Sequence, residues 1–216
     1  MNIDENITIF LNGIVGKNHL LDGILVRLLS ESSILNALVP VAIITGLWFS
    51  SGCRASRGRL IVGVCAAVAA TVLSRALQWS IPIHQRPLES MPLNLAPGNH
   101  PFYRLSSFPS DHATLVFGLC TVILLRHKWL GLVSFAWMMV ICAARVALGL
   151  HWPSDILGGL ILGVVAVALS QWIRFPEWIW SFKELHRGLF YSLIMIGAYE
   201  TATFFGDILG ALGLFR

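Results

Sequence analysis

The sequence has little charge. Asp, Glu, Lys and Arg make up only 12% of its 216 residues, against roughly 25% in ordinary soluble domains. It also lacks any segment long and polar enough to form a separate soluble domain, and its net charge of +4 is too small and too dispersed for nucleic-acid binding. These absences exclude an ordinary soluble enzyme and a nucleic-acid-binding protein.

Cysteine is also scarce, and the chain lacks the marks of a cleaved signal. The cysteines show no metal-ligand spacing and most stand inside apolar runs, which indicates packing rather than disulfides or metal ligands. The first residues include neither a basic cluster nor a small-residue cleavage site, so we expect no cleaved signal peptide. The four cysteines are Cys53, Cys65, Cys120 and Cys142.

Apolar sequence is abundant instead. Hydrophobic residues make up 56% of the chain and the mean hydropathy is +0.74. Several runs reach the roughly 20 residues that a helix needs to cross the hydrocarbon core of a bilayer. We therefore predict an all-α integral membrane helical bundle with about six transmembrane helices, forming one domain over residues 1–216 in contact with membrane lipids. The predicted spans are residues 32–50, 60–83, 109–125, 129–150, 155–173 and 188–209.

Residues 1–31 differ from the predicted spans. Their apolar residues fall at helical spacing, but polar residues such as Asn12, Lys17 and Asp22 interrupt the run. This pattern is typical of amphipathic helices that lie in the membrane interface. We therefore predict an interfacial amphipathic region before the first span.

Lys and Arg gather in three of the loops between the spans. With six spans these loops share one side of the membrane, which the positive-inside rule makes cytoplasmic. The long loop 84–108, His112 and His151 then face the exterior. The basic residues concerned are Arg54, Arg57, Arg59, Arg126, Lys128, Arg174, Lys183 and Arg187.

A polar tetrapeptide opens the third span. Ser110 immediately precedes an apolar run, so it is a plausible N-cap, and the backbone amides that follow it can bind an anion at the positive end of the helix dipole. His112 lies in that first turn, where it could donate a proton to a leaving oxygen as a general acid. The alternative is that Ser110 only caps the helix and His112 is an interfacial histidine.

A second polar set joins the next two spans. Gly149 weakens the end of one helix and Pro153 fits the first turn of the next, so His151 lies in a tight connection. Asp155 is within reach of His151 and could hold one ring nitrogen, which leaves the other as a nucleophile. Arg145 lies deeper toward the bilayer, where a charge is costly and marks a functional candidate. The alternative is a structural ion pair between Arg145 and Asp155.

An arginine at the end of the second span completes a pattern of three blocks. Arg suits phosphate because its planar fork donates two parallel hydrogen bonds. The blocks Arg86-Pro87, Pro109-Ser110-Asp111-His112 and Arg145-x5-His151-x3-Asp155 together resemble the signature blocks of the type 2 phosphatidate phosphatase superfamily. That superfamily also includes bacterial acid phosphatases and vanadium haloperoxidases.

The resemblance implies a role for each matched residue. His151 would attack phosphorus to form a phosphohistidine, Asp155 would orient it, and His112 would protonate the leaving group. No metal and no cofactor are implied, because histidine attack and cationic groups replace what a metal ion would do. The residues implied to bind phosphate are Arg86, Ser110 and Arg145, with Asp111 placed among them by position.

The first departure from the family pattern concerns a missing cation. The first block usually carries a lysine seven residues before the arginine, and Trp79 occupies that position here. Arg75, one helical turn earlier, and Arg104, ahead of the second block, are the candidates to replace it. Arg75 could instead pair with Glu200, which has a similar estimated depth in the last span.

The second departure is Asp111, where most members have glycine. A carboxylate beside a phosphate costs Coulomb energy unless it turns away or is protonated. The Pro-Ser-Asp-His form resembles that of bacterial undecaprenyl pyrophosphate phosphatases of this superfamily. We therefore expect a polyprenyl pyrophosphate substrate, hydrolysed at the periplasmic face of a bacterial inner membrane.

Other functions stay open at this point. A phosphatidate or phosphatidylglycerophosphate phosphatase, or a lipid phosphotransferase, would use the same residues. A transporter would show paired halves with helix breaks at mid-bilayer, whereas the breaks here cluster at one face. A purely structural membrane subunit would leave the three polar blocks without a role.

Overall fold

The protein is helical throughout the part that the structure, a computed structural model, describes: residues 2–30, 34–96 and 106–203. No strand is present in these ranges, which confirms the predicted all-α fold class. Two π-helical segments, Ile24–Ser30 and Ile34–Leu38, precede the third helix. The helices are α1 (Ile3–Asn12), α2 (His19–Gly23), α3 (Val39–Ser50), α4 (Arg54–Ser80), α5 (Pro87–Ser90), α6 (Asp111–Leu124), α7 (Lys128–Ala147), α8 (Pro153–Ser170), α9 (Trp178–Leu185) and α10 (Arg187–Ala202).

Each of the first five predicted spans coincides with an apolar helix. Within the described ranges α4, α7 and α8 are long and apolar enough to cross a membrane, and Asn36–Ser50 and α6 are shorter apolar helices. The helix α10 covers the start of the sixth predicted span, whose last part lies outside the described residues. The total of six spans stays a prediction.

Helix α6 is the centre of the bundle. It packs against α4, α7 and α8, and nearly all of its side chains are buried. Leu115, Phe117 and Leu119 are each 0% exposed. A helix that is apolar on every side is expected to lie inside a bundle rather than at its surface. The first two residues of this helix, Asp111 and His112, therefore lie at one end of the bundle core.

Glycines bring α6 and α8 into close contact. A Cβ atom added at Gly159 would collide with the Ser110 carbonyl oxygen, and one added at Gly163 would collide with the Thr114 carbonyl oxygen. Small residues spaced by four allow helix backbones to approach in this way. The starts of the two helices consequently meet, and the Ser110 amide donates a hydrogen bond to the Asp155 carbonyl oxygen at 3.1 Å.

The basic loops meet at the other end of the bundle. Arg126, between α6 and α7, donates to the Ser56 carbonyl oxygen at the start of α4, 3.2 Å away. Arg54 and Glu184 form an ion pair that joins α9 to the same end of α4. In the last turns of α4, Gln78 instead contacts the backbone just before α6. The basic loops and the start of α6 thus lie at opposite ends of α4.

Helix α1 lies against the ends of α7 and α8. The Asn12 amide group donates to the Ala147 and Asn94 carbonyl oxygens at 2.9 and 3.0 Å, and its oxygen accepts from the Asn94 amide at 2.8 Å. The Asp4 carboxylate accepts from the Ser154 amide at 3.1 Å. The opposite side of this segment is apolar and exposed, which suits a helix in the membrane interface. Its exposed residues include Ile3, Ile7, Phe10 and Ile14.

Candidate active site

The three sequence blocks meet where the starts of α5, α6 and α8 adjoin the end of α7. Ser110 is the N-cap of α6, as its position predicted, and its hydroxyl oxygen accepts from the Ala113 amide at 3.4 Å. The α7–α8 loop carries His151 into the same place. The predicted residues that the structure brings together here are Arg75, Arg86, Ser110, Asp111, His112, Arg145, His151 and Asp155.

The His151 imidazole is almost fully buried and its Nδ1 faces two acceptors. Nδ1 lies 3.2 Å from the Ser107 carbonyl oxygen and 3.6 Å from Asp155 Oδ2. A carbonyl oxygen can only accept, so this nitrogen carries the proton in the neutral ring. Nε2 then holds the lone pair that nucleophilic attack requires.

The Nε2 atom of His151 faces two donors. Arg86 Nη1 and Ser110 Oγ each lie 3.4 Å from it, and the same guanidinium nitrogen donates to the Leu150 carbonyl oxygen at 2.5 Å. A guanidinium and a hydroxyl are suitable partners for phosphoryl oxygens. A phosphate placed here would meet a nucleophile and its oxygen-binding groups together.

Burial and the two nearby arginines act on the pKa of His151 in the same direction. Burial lowers its pKa below the ordinary histidine value, and the positive charges of Arg86 and Arg145 lower it further, while Asp155 opposes them. Arg145 is itself buried at 7% exposure. The lowered pKa favours the neutral ring, whose unprotonated nitrogen can act as a nucleophile.

Asp155 is fully buried between two imidazoles. Its Oδ2 accepts from the Trp152 amide at 2.8 Å, which is half of a capping box at the start of α8. Its Oδ1 lies 3.3 Å from Nδ1 of His84. The ion-pair contacts of this carboxylate are therefore with His84 and His151, and not with Arg145 as the structural alternative required.

His84 and Ser107 are site residues that the sequence reasoning missed. His84 Nδ1 lies 2.9 Å from Ser107 Oγ, and the Ser107 amide donates to the His84 carbonyl oxygen at 3.0 Å. Both belong to the long loop, and their pairing brings Ser107 to His151. The only features of the sequence that could have marked them as site residues are their positions: His84 lies shortly before Arg86, and Ser107 lies shortly before the second block.

The Asp111 carboxylate contacts Arg75 and His112. Its Oδ2 lies 2.5 Å from Arg75 Nη2, and its Oδ1 accepts from the His112 amide at 2.9 Å and lies 3.5 Å from His112 Nδ1. The alternative pairing of Arg75 with Glu200 is therefore wrong, because Arg75 contacts Asp111 and Gln78.

The remaining candidate residues lie elsewhere. Glu200 is buried near the end of α10, a helix that packs against α3 and α9, and it is not part of the cluster. Arg104 lies outside the described residues. Trp79, at the position of the usual lysine, is 60% exposed. Its neighbour Gln78 was also missed by the sequence reasoning: it donates to the carbonyl oxygen of Pro109 at 2.6 Å and so fixes the backbone before Ser110.

Gly149 shapes the loop that carries His151, and we expect Gly149→Ala to damage both folding and activity. Gly149 has φ +70°, and a Cβ atom there would lie 2.7 Å from Leu93 Cδ1 and 3.2 Å from the Leu88 amide nitrogen. A left-handed alanine costs about 1–2 kcal/mol before any clash. Thermal unfolding in detergent should show this loss of stability, and turnover should fall because His151 shifts.

Gly46→Ala is the matched control for Gly149→Ala. Gly46 lies in α3 with nothing within 4 Å of an added Cβ atom, so its replacement should leave stability and turnover nearly unchanged. Equal stability of the Gly149→Ala and Gly46→Ala variants would contradict the strain described for the loop.

Comparison with known proteins gives consistent matches. A family model described as the PAP2 superfamily matches residues 60–179. The chain is 33% identical over 137 residues to the putative undecaprenyl-diphosphatase YbjG of Escherichia coli, a match that covers 62% of this chain and 65% of that protein, just under two-thirds of its length. It is 24% identical over 184 residues to undecaprenyl-diphosphatase BcrC of Bacillus subtilis, covering 85% of this chain and 90% of the relative.

One solved structure shares the fold. It is the crystal structure of a transmembrane PAP2 type phosphatidylglycerolphosphate phosphatase from Bacillus subtilis, with a TM-score of 0.53 and 20% identity, covering 78% of this chain and 82% of that chain. The similarity supports a transmembrane helical architecture for the bundle described above.

Proposed function

The chain belongs to the PAP2 superfamily, and from this premise we propose that it is a membrane lipid phosphatase that acts through the site around His151. The observation that carries the proposal is the setting of the His151 ring. Its Nδ1 faces acceptors, while its Nε2 faces the Arg86 guanidinium and the Ser110 hydroxyl at 3.4 Å. This arrangement suits nucleophilic attack on a phosphate.

The proposed reaction has two steps. His151 Nε2 attacks the terminal phosphorus of the pyrophosphate, and the N–P bond forms as the bond from that phosphorus to the bridging oxygen breaks. His112 gives its proton to that oxygen, which leaves on the lipid monophosphate. Water then attacks the phosphohistidine, and His112 takes a proton from the water as inorganic phosphate leaves. Arg86, Arg145 and Ser110 bind the phosphoryl oxygens in both steps, since they supply positive charge and hydrogen bonds where negative charge builds up.

We propose a polyprenyl pyrophosphate, undecaprenyl pyrophosphate in particular, as the substrate. The names of the relatives YbjG and BcrC support this choice, as does the Pro-Ser-Asp-His form of the second block. The product would be the lipid monophosphate. Phosphatidate and phosphatidylglycerophosphate are the alternative substrates that the same residues could serve.

The site is proposed to face the periplasm of a bacterial inner membrane. The basic loops meet at the end of α4 opposite the start of α6. Since basic loops stay on the cytoplasmic side, the site at the other end would open outward.

Phosphate release by the purified chain tests the proposed function. We expect inorganic phosphate from undecaprenyl pyrophosphate without an added acceptor, faster than from phosphatidate or phosphatidylglycerophosphate. Strict dependence on an acceptor lipid would instead indicate a phosphotransferase, and no release from any of the three lipids would refute the proposal.

The same assay tests independence from metal ions. Within the described residues no three His, Cys, Asp or Glu side chains are grouped so as to hold a metal ion. We expect release to continue in EDTA and to be inhibited by vanadate, which mimics five-coordinate phosphorus. Loss of activity in EDTA that magnesium restores would contradict a mechanism based on histidine and arginine alone.

A further inference from the structure

Asp111 places a carboxylate beside a site built for an anion. It is the first residue of α6 and only 8% exposed. A buried carboxylate needs a partner, and one beside a phosphate also repels the substrate. The contacts of Asp111 therefore decide whether it opposes the reaction or takes part in it.

Arg75 supplies the partner. Its Nη2 lies 2.5 Å from Asp111 Oδ2, so the two side chains form a close ion pair between α4 and α6. Arg75 Nη1 also lies 3.5 Å from the side-chain oxygen of Gln78, one turn further along α4. The negative charge of Asp111 is thus balanced from the helix that also fixes the backbone before Ser110.

The second oxygen of Asp111 faces the imidazole of His112. Oδ1 accepts from the His112 amide at 2.9 Å and lies 3.5 Å from its Nδ1. Because a carboxylate oxygen accepts and does not donate, this contact favours a proton on Nδ1. Nε2 is then the nitrogen through which His112 would exchange a proton with substrate. His151 has the same arrangement, with Ser107 and Asp155 at its Nδ1.

We propose that Asp111 and Arg75 are positioning residues for the general acid of this site. Asp111 holds Nδ1 of His112 so that Nε2 faces the leaving oxygen and stabilises the protonated ring, and Arg75 cancels the charge of Asp111 toward the phosphate. This inference rests on the proposed function, because it assigns how the proton donor of that reaction is held. It also accounts for Arg75 without making it a phosphate ligand.

Comparison of substrates with different leaving groups distinguishes a positioning role of Asp111 from a merely structural one. A general acid matters most when the leaving oxygen is strongly basic, as in an alkyl phosphate, and little when it is weakly basic, as in 4-nitrophenyl phosphate. We expect Asp111→Asn to lower kcat/KM for a detergent-solubilised alkyl phosphate by about 10²-fold, and that for 4-nitrophenyl phosphate much less. An equal loss on both substrates, or no loss, would overturn the proposal.

Arg75 is tested by its coupling to Asp111. Arg75→Gln should reduce turnover of both substrates, since the Asp111 charge then repels phosphate. On 4-nitrophenyl phosphate, for which the general acid matters little, the double variant Arg75→Gln with Asp111→Gly should recover at least about tenfold of that loss, because energies of residues in contact are not additive. If Arg75 binds phosphate directly, the double variant will be no more active than Arg75→Gln.

The ring of His112 gives a readout that does not depend on turnover. The charged and titratable groups that act on it are Arg145, Asp111 and His151, and Arg75 pairs with Asp111. In protein labelled with ¹⁵N-histidine, we expect a proton on Nδ1 of His112 that Asp111→Asn removes or redistributes. Identical ring signals in both proteins would refute the positioning role. The expected change in the ring signals, found together with no lipid turnover in the parent protein, would refute the proposed function but not the contact between Asp111 and His112.

Discussion

Replacement of His151 by alanine is expected to lower phosphate release from undecaprenyl pyrophosphate by at least about 10⁴-fold, the scale seen when a nucleophile is removed from a catalytic triad. The ring is 2% exposed, and its Nε2 is the atom that Arg86 and Ser110 surround. Without it no N–P bond can form. A steady-state assay with each variant at equal protein concentration measures the loss.

Two further measurements make the result for His151 decisive. The variant His19→Ala removes an exposed histidine of α2 and should keep full activity. Protein incubated with labelled substrate and then denatured at alkaline pH, where phosphohistidine is stable, should carry phosphate on nitrogen in the parent chain and none in His151→Ala. Activity of His151→Ala within tenfold of the parent would show that another group attacks phosphorus.

Asp155→Asn is expected to reduce turnover by about 10²–10⁴-fold while the protein still folds. Asparagine keeps the shape, and with its oxygen at the position of Oδ2 it still accepts from the Trp152 amide and faces His151 Nδ1. It lacks the negative charge that both imidazoles now meet, and it turns an amide donor toward His84. The Ser107 carbonyl oxygen still faces His151 Nδ1, so the ring keeps one acceptor and the loss should be smaller than for His151→Ala.

The pH dependence of Asp155→Asn has a definite sign. Burial lowers the pKa of His151, Arg86 and Arg145 lower it further, and Asp155 raises it. The acid limb of kcat/KM for the parent chain should therefore lie below the ordinary histidine pKa of about 6.5. Removal of the carboxylate should move that limb to still lower pH. Glu184→Gln, at the opposite end of the bundle, should change neither rate nor limb, and a limb that moves to higher pH in Asp155→Asn would contradict the assignment.

The sequence predicted the helices and the convergence of the blocks because both follow from short-range rules. Apolar run length predicted α4, α6, α7 and α8, and the N-cap signal predicted that Ser110 would open a helix. Two apolar helices separate His112 from His151, and a chain that crosses the membrane twice returns to the side from which it started. This predicted that the two histidines lie at the same end of the bundle. These features need only chain order and helix geometry.

The contacts that the sequence did not predict all depend on tertiary register. Estimated depth suggested a pairing of Arg75 with Glu200, but depth along the bilayer normal says nothing of which helices are neighbours, and α4 adjoins α6 at that level. His84 and Ser107 come together only because the ends of a long loop pair with each other. No periodicity or spacing marks such a pairing.

The glycine-mediated contact of α6 and α8 has a consequence for how the enzyme would stabilise its transition state. Because Gly159 and Gly163 let the helix backbones touch, the starts of both helices are in direct contact, and this contact restricts changes in the distance between the hydroxyl of Ser110 and the carboxylate of Asp155. Preorganised groups of this kind need little reorganisation energy when charge develops on the reacting phosphate. Bulkier residues at either glycine would push the helices apart, and the reorganisation energy would then add to the activation barrier of the reaction.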